Sequence, residues 1–463
     1  MSLERLFQPR SIAVIGASER EDSISGRPLR ILLQHGYAGA LYPVNPRYEA
    51  LLGLRCYPDV TSVPAPVDVA LVLVNAKLVP RLVRECAAAG VGYAVVVSSG
   101  FAEQDEAGAA AQRELTELAA DGAIRVCGPN AEGFVNLHGP VPLSFSPTID
   151  LDRGVERLLA GDVAVVSQSG GLGFSMFNDG QSRGLGFSHV VSSGNEADLD
   201  AVDYAEFLVG DEHTRVILVL VEGLREPERL RPLAARALAA GKPLVVAKVG
   251  GSEPGRRAAV AHTAHTTGDA LAWDGLLSQP GIIRADDPEE LVDVALALSR
   301  SPLPAGPSVG VLTLSGGAGV WLADSLLAEG LALPVLDADV QSRIRELIPP
   351  YGSPANPVDV TAQILESPGG IASALELMLA SPQLDLLVLV TSLSAPTRLE
   401  HEADELRRLV RASGKPVVVY TYTRPHPRSL ELLAEIGVAW YPSIRRTARA
   451  LRALHDYAAA AAG

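Results

Sequence analysis

The chain is poor in cysteine: Cys56, Cys86 and Cys127 are the only three in 463 residues. They have neither metal-ligand spacing nor a paired, secreted pattern, so reduced thiols are expected and a zinc module or disulfide scaffold is excluded. Long apolar runs are also missing. Stretches such as VILVLVEG have the length of a strand and fall far short of a membrane span. The opening MSLERLFQPRSIAVIG lacks the charged, apolar, small-residue order of a cleaved leader, so a cytoplasmic protein off the membrane is expected. Positive charge is in deficit, with 39 Lys and Arg against 54 Asp and Glu and a net charge of −15. Nucleic acid is therefore excluded as the main partner. No P-loop GxxxxGK[ST] occurs anywhere.

What is present is a well-cored α/β pattern. Hydrophobic residues make up 48% of the chain and charged residues 20%. Continuous apolar strands such as SIAVIG, VDVALVLV, DVAVVSQ, VILVLVEG and LDLLVLVTS alternate with helical stretches. That alternation predicts parallel sheets covered by helices on both faces. Pro-rich connectors near HGPVPLSFSPTIDLDRG and SRSPLPAGPS divide the chain. The expected architecture is three consecutive doubly wound domains, at 1–150, 151–304 and 305–463.

Glycine turns end the first strand of each expected domain. Gly16, Ala17 and Ser18 follow SIAVI, where doubly wound sheets bind ligands. The full GxGxxG spacing is absent, and the second strand ends in Asn45 and Pro46 instead of the acid that would hold a nicotinamide ribose. A dehydrogenase is thus disfavoured. The other two turns share the pattern S-G-G-x-G, in Ser169–Gly170–Gly171 and in Ser315–Gly316–Gly317–Ala318. Each is a candidate anion socket built from crowded backbone N–H groups and a helix N-terminus. The rival reading is tight helix–sheet packing. Between the turns lies GRRAAVAHTAHTTGDALAWDG, rich in Ala, Thr and His. A neutral imidazole can accept a phosphoryl group when a phosphate is held close and a carboxylate orients the ring. His262 and His265 both compete for that role, and Glu222, at the end of VILVLV, is placed where parallel sheets carry functional groups.

The combination of GAS with Ser23 and Gly26, YPVNPRY, SSGFAE (Ser98, Ser99, Gly100 onward) and CGPNAEG (with Asn130) resembles the CoA-binding domain of the succinyl-CoA synthetase superfamily. Across nearly its whole length the chain is similar to α subunits of NDP-forming acyl-CoA synthetases such as ADP-forming acetate–CoA ligase. The resemblance implies a Rossmann-like CoA-binding domain followed by two flavodoxin-like domains. It implies CoA contacts at Gly16, Ala17, Ser18, Ser23, Gly26, Asn45, Pro46, Ser98, Ser99, Gly100 and Asn130. Gly26 and Gly100 stay open to a plain turn role. The family register makes His262 the phosphorylated residue and Glu222 its orienting carboxylate, with the phosphate held by Ser169, Gly170, Gly171, Ser315, Gly316, Gly317 and Ala318. The implied reaction joins acyl-CoA, phosphate and ADP to acid, CoA and ATP, with ADP or ATP and Mg on a separate ATP-grasp β subunit, in a homo- or hetero-oligomer. No metal is expected in this chain itself. Ala261 and Ala264 stand where relatives usually have Ser and Gly, which keeps a non-catalytic CoA- or acyl-CoA-binding protein as the alternative.

Overall fold

The computed structural model describes residues 2–255, 257, 270–367 and 369–463. They form two compact units, Met1–Pro288 and Glu289–Gly463. No helix among the described residues is long and apolar enough to cross a membrane.

The N-terminal unit holds two sheets. In the first, β1 (Ser11–Ile15), β2 (Ala40–Val44), β5 (Val69–Val72), β6 (Tyr93–Val96) and β7 (Arg125–Cys127) lie in the order β2-β1-β5-β6-β7, and all pairs are parallel. A two-strand hairpin, β3 (Ala50–Leu51) and β4 (Leu54–Arg55), interrupts the series. The second sheet runs β14-β13-β12-β10-β11-β8-β9. Its parallel part comprises β10 (Ala160–Ser167), β11 (Phe187–Ser192), β12 (Val216–Val221), β13 (Leu244–Lys248) and β14 (Ile282–Ala285). Strands β8 (Gly133–Asn136) and β9 (Val141–Ser144) extend it antiparallel. One core joins both sheets: the Phe7 ring stacks with Phe207 and meets Phe134 edge-on at 5.1 Å.

The C-terminal unit has one parallel sheet, β16-β15-β17-β18-β19, built from β15 (Val309–Thr313), β16 (Val358–Asp359), β17 (Leu386–Thr391), β18 (Val417–Thr421) and β19 (Ala439–Tyr441). The helix Pro288–Arg300 is tied into this unit. Arg446 makes two bonds to the Asp293 carboxylate, at 2.5 and 2.9 Å, and the Tyr441 hydroxyl donates to the Asp293 carbonyl.

Counted along its parallel strands, each sheet has the order 2-1-3-4-5. The chain direction reverses between the first and third strands, and a crevice opens there beyond the strand ends. In all three sheets the first strand ends in one of the glycine turns. The fold therefore places Gly16, Gly170 and Gly316 at equivalent switch points.

Candidate functional site

At the first switch point, a cavity of about 560 Å³ opens over the ends of β5 and β6. Ser23, Asn75, Lys77, Ser98, Ser99 and Gly100 are among its lining residues. The turn behind it is forced by close approach. Gly16 has φ +87°, and a Cβ there would lie 2.8 Å from the Leu73 carbonyl oxygen. Asn45 spends its amide on this turn, donating to the Ala17 carbonyl at 2.8 Å. The Ser18 hydroxyl meets those of Ser23 and Ser25 at 3.4 and 3.2 Å. Ser98 donates to the Val74 carbonyl at 2.5 Å and holds the two strand ends together.

The structure thus sorts the expected CoA residues. Ser23, Ser98, Ser99 and Gly100 line the cavity, whereas Gly16, Ala17, Ser18 and Asn45 shape its back wall. Gly26 is a turn glycine, since a Cβ there would stand 2.1 Å from the Arg20 carbonyl oxygen. Pro46 is exposed, and Asn130, at φ +58°, bonds to Asn195. Lys77 was not singled out in the sequence, yet it supplies a cation to the lining, where Asp105 is the one carboxylate among the described residues.

From this cavity the segment Gly128–Gly133 leads to the second switch point. The Asn130 amide donates to the Ser98 carbonyl at 2.9 Å on one side. On the other side, the Asn195 and Ala197 amides donate to the Pro129 and Gly128 carbonyls, both at 2.8 Å. The Glu132 amide then donates to the Ser192 hydroxyl at the end of β11.

There β10 gives way to the helix Gly170–Ser182. Ser169 is its N-cap, and the hydroxyl accepts from the Leu172 amide at 3.4 Å. The three glycines do different jobs. A Cβ on Gly173 would lie 2.9 Å from the Ser167 Cβ, so this glycine lets the helix pack on the strand. A Cβ on Gly170 would lie 2.7 Å from the Glu132 Cβ and 2.8 Å from Glu132 Oε2. Gly171 has nothing within 4 Å of that position and faces open space. No acceptor among the described residues takes the Gly170 or Gly171 amide hydrogens. Two converging N–H groups beside open space can hold an anion.

Glu222 sits at the end of β12, 6% exposed, directly beside this turn. Gln168 fixes its backbone. The Gln168 side-chain Oε1 accepts from the Glu222 and Gly223 backbone amides at 2.5 and 3.1 Å, and its Nε2 donates to Glu196 Oε2 and to the Gly223 carbonyl. Glu196 is fully buried with φ +57°, and it also accepts from the Ser193 hydroxyl and the Ala201 amide. Burial pushes its carboxyl up to about 8, although the Ser193 hydrogen bond works in the opposite direction. Neither Gln168 nor Glu196 was singled out in the sequence. The available signal was a pair of polar side chains beside otherwise apolar strands. Lys248 donates to the Glu222 and Val249 carbonyls and lies over the Trp273 ring. Asp203 pairs with Asp200 in a helix capping box, and Asp198 holds Arg125 at 2.7 Å. His262 and His265 lie outside the described residues.

In the C-terminal unit, Ser315 begins the helix Gly316–Ala328. Gly319 packs against Thr313, Gly317 is open, and a Cβ on Gly316 would lie 2.7 Å from Asp359 Oδ2. Ala318 is half-buried on the first turn.

Three family models match the chain in succession: a CoA binding domain at residues 10–136, a succinyl-CoA ligase like flavodoxin domain at 160–298 and a Ligase-CoA domain at 309–460. The α subunit of acetate–CoA ligase [ADP-forming] I from Pyrococcus furiosus is 34% identical over 470 residues, covering 99% of this chain and 98% of that one. Acetate–CoA ligase [ADP-forming] I from Archaeoglobus fulgidus is 35% identical, and the match covers 89% of this chain but 61% of that protein. Among solved structures, acetyl-coenzyme A synthetase 1 of Ca. Korarchaeum cryptofilum, in complex with phosphate and ADP, superposes with a TM-score of 0.88. It is 34% identical and covers 100% of this chain and 98% of that one.

Proposed function

The chain belongs to the family of ADP-forming acetate–CoA ligase α subunits, and on that premise we propose that it is the CoA- and phosphohistidine-carrying subunit of an acid–thiol ligase. The acyl-CoA lies with its nucleotide in the cavity of the first sheet and its thioester toward Gly128–Gly133. Phosphate held by the Gly170 and Gly171 amides attacks the thioester carbonyl, giving acyl phosphate and free CoA. His262 takes the phosphoryl group, with Glu222 orienting the ring. An ATP-grasp β subunit, which binds the nucleotide with its Mg, then passes the group to ADP. The reverse sequence makes acyl-CoA from acid, CoA and ATP. Positioning and fixed N–H dipoles supply most of what phosphoryl transfer requires.

One observation carries this reading. A single compact unit joins a lysine-fringed cavity to an open anion socket through one hydrogen-bonded segment, Gly128–Gly133. The test is to incubate the chain with a panel of acyl-CoAs and phosphate, then to seek acid-labile phosphate on His262 by mass spectrometry. A His262→Asn variant should show none. If the wild type binds CoA but is never phosphorylated, even with an ATP-grasp subunit present, the chain is a CoA-binding protein and the catalytic reading fails.

A further inference from the structure

Glu132 has no part in that reaction, yet no other carboxylate among the described residues of the N-terminal unit stands so close to the first glycine of the Ser169 turn. Its Oε2 lies 2.8 Å from the point that a Gly170 Cβ would occupy, and the Ser192 hydroxyl lies 3.2 Å from the same point. Its backbone is pinned on both sides. The amide donates to Ser192, and the carbonyl accepts from Ser144 at 2.6 Å. The side chain is half-buried, and burial raises its pKa, with a Ser146 hydrogen bond holding it partly down. It therefore sits between the cavity, reached through Asn130 and Ser98, and the anion socket at Gly170 and Gly171.

A carboxylate in that place would repel a phosphate unless a proton lay between them. Phosphorolysis of a thioester supplies one. Monohydrogen phosphate and acyl-CoA give acyl phosphate and CoA thiol: the phosphate oxygen–carbon bond forms, the carbon–sulfur bond breaks, and the single phosphate proton must end on sulfur. Resting on the reading above, we propose that Glu132 is the catalytic residue that moves this proton. Its carboxylate accepts the P–OH hydrogen as the oxygen attacks, and returns it to the departing thiolate. In the direction of acyl-CoA synthesis it takes the thiol proton and gives it to the leaving phosphate. A base is most useful with a pKa near the working pH, and partial burial moves this carboxyl in that direction.

The test compares wild type with Glu132→Gln in two reactions. The first is phosphate-dependent CoA release from acetyl-CoA and longer acyl-CoAs. The second is phosphorylation of the chain by ATP through an ATP-grasp subunit, in which no thioester takes part. The substitution should lower kcat for CoA release on the order of 100-fold without raising KM for phosphate. It should also leave phosphorylation by ATP intact. The acid limb of the wild-type pH profile, two titrations deep, should reduce to the single titration of phosphate itself. Unchanged CoA release, an unchanged pH profile, or equal loss in both reactions overturns the role of Glu132. A wild type that phosphorylates from ATP but releases CoA from no acyl-CoA overturns the underlying reading instead.

Discussion

The Ser169 and Ser315 turns share a five-residue signature and three steric relations, but they rest on different foundations. In both, the third glycine packs on the strand that feeds it, the second is open, and the first lies beside a carboxylate oxygen. In both, the strand's last hydroxyl, from Ser167 or Thr313, donates to the N-cap carbonyl. Behind Ser169, however, stands Gln168, which links the Glu222 backbone to Glu196. Behind Ser315 the equivalent residue is Leu314, a core side chain. Farther on, Phe174 is buried where Val320 is 58% exposed, and the next residue in the second turn, Trp321, is 73% exposed. The glycines thus make the same backbone shape twice. Both turns face a carboxylate, Glu132 in the first and Asp359 in the second, but only the first is also backed by a polar side chain bonded to a buried carboxylate, Glu196.

Exchanging the two backing residues should break this contrast most severely. Gln168→Leu strands two buried amides and the Glu196 carboxylate, each worth about 1–3 kcal/mol, so the N-terminal unit should lose more than about 3 kcal/mol. Leu314→Gln buries one unpartnered amide and should cost the C-terminal unit about 1–3 kcal/mol. Urea unfolding followed at Trp273 for the first unit, and at Trp321 and Trp440 for the second, separates the two. The wild type should also carry a pH signature in the first unit only at this position. The folded state holds the Glu196 proton more tightly than the unfolded chain does. This group's effect on stability is therefore least unfavourable below the ordinary carboxylate range and becomes more so as pH rises toward about 8. Loss of the Gln168 donor should move the end of that window upward. Equal losses from the two exchanges would mean that the polar backing does not distinguish the turns.

The three sheets were legible because continuous apolar strands separated by helical stretches leave few alternatives, and the glycine turns marked their first strands. The antiparallel pair β8 and β9 was not. GFVN and VPLS are short, and what makes them strands is the pairing of GFVN with β11, more than fifty residues away, with VPLS added at its far edge. Likewise, nothing near Asp293 announces that its partner is Arg446. The site shows the same limit. SGGxG identified two turns, but which glycine packs and which stays open depends on atoms supplied from elsewhere. Glu132 was hidden in CGPNAEG because the significance of that carboxylate lies in its distance from Gly170, not in its spacing within the segment.

The third glycines should behave alike, which makes them the control. A methyl on Gly173 meets Ser167 at 2.9 Å, and one on Gly319 meets Thr313 at 2.7 Å. Gly173→Ala and Gly319→Ala should each destabilise their own unit by about 1–3 kcal/mol through overpacking. A loss in one and none in the other, read by the same unfolding experiment, would show that the two turns do not share their packing.

The smallest effect on stability is expected at Gly171 and Gly317, and it is the most informative. Both are helical residues with nothing near a prospective Cβ, so alanine there should be neutral or should stabilise by up to about 1 kcal/mol, because it restricts the unfolded chain. A methyl in that space also stands where an anion on the first-turn amides would sit. If the first turn receives free phosphate, Gly171→Ala should raise KM for phosphate in CoA release several-fold. Gly317→Ala should leave that constant unchanged and, if the second turn holds the phosphorylated histidine as the family resemblance implies, should instead slow phosphorylation of the chain by ATP. A gain in stability together with lost phosphate affinity cannot come from packing, since packing and binding then move in opposite directions. Two stabilised variants with unaltered kinetics would return both second glycines to helix geometry alone, and the anion reading of the turns would go with them.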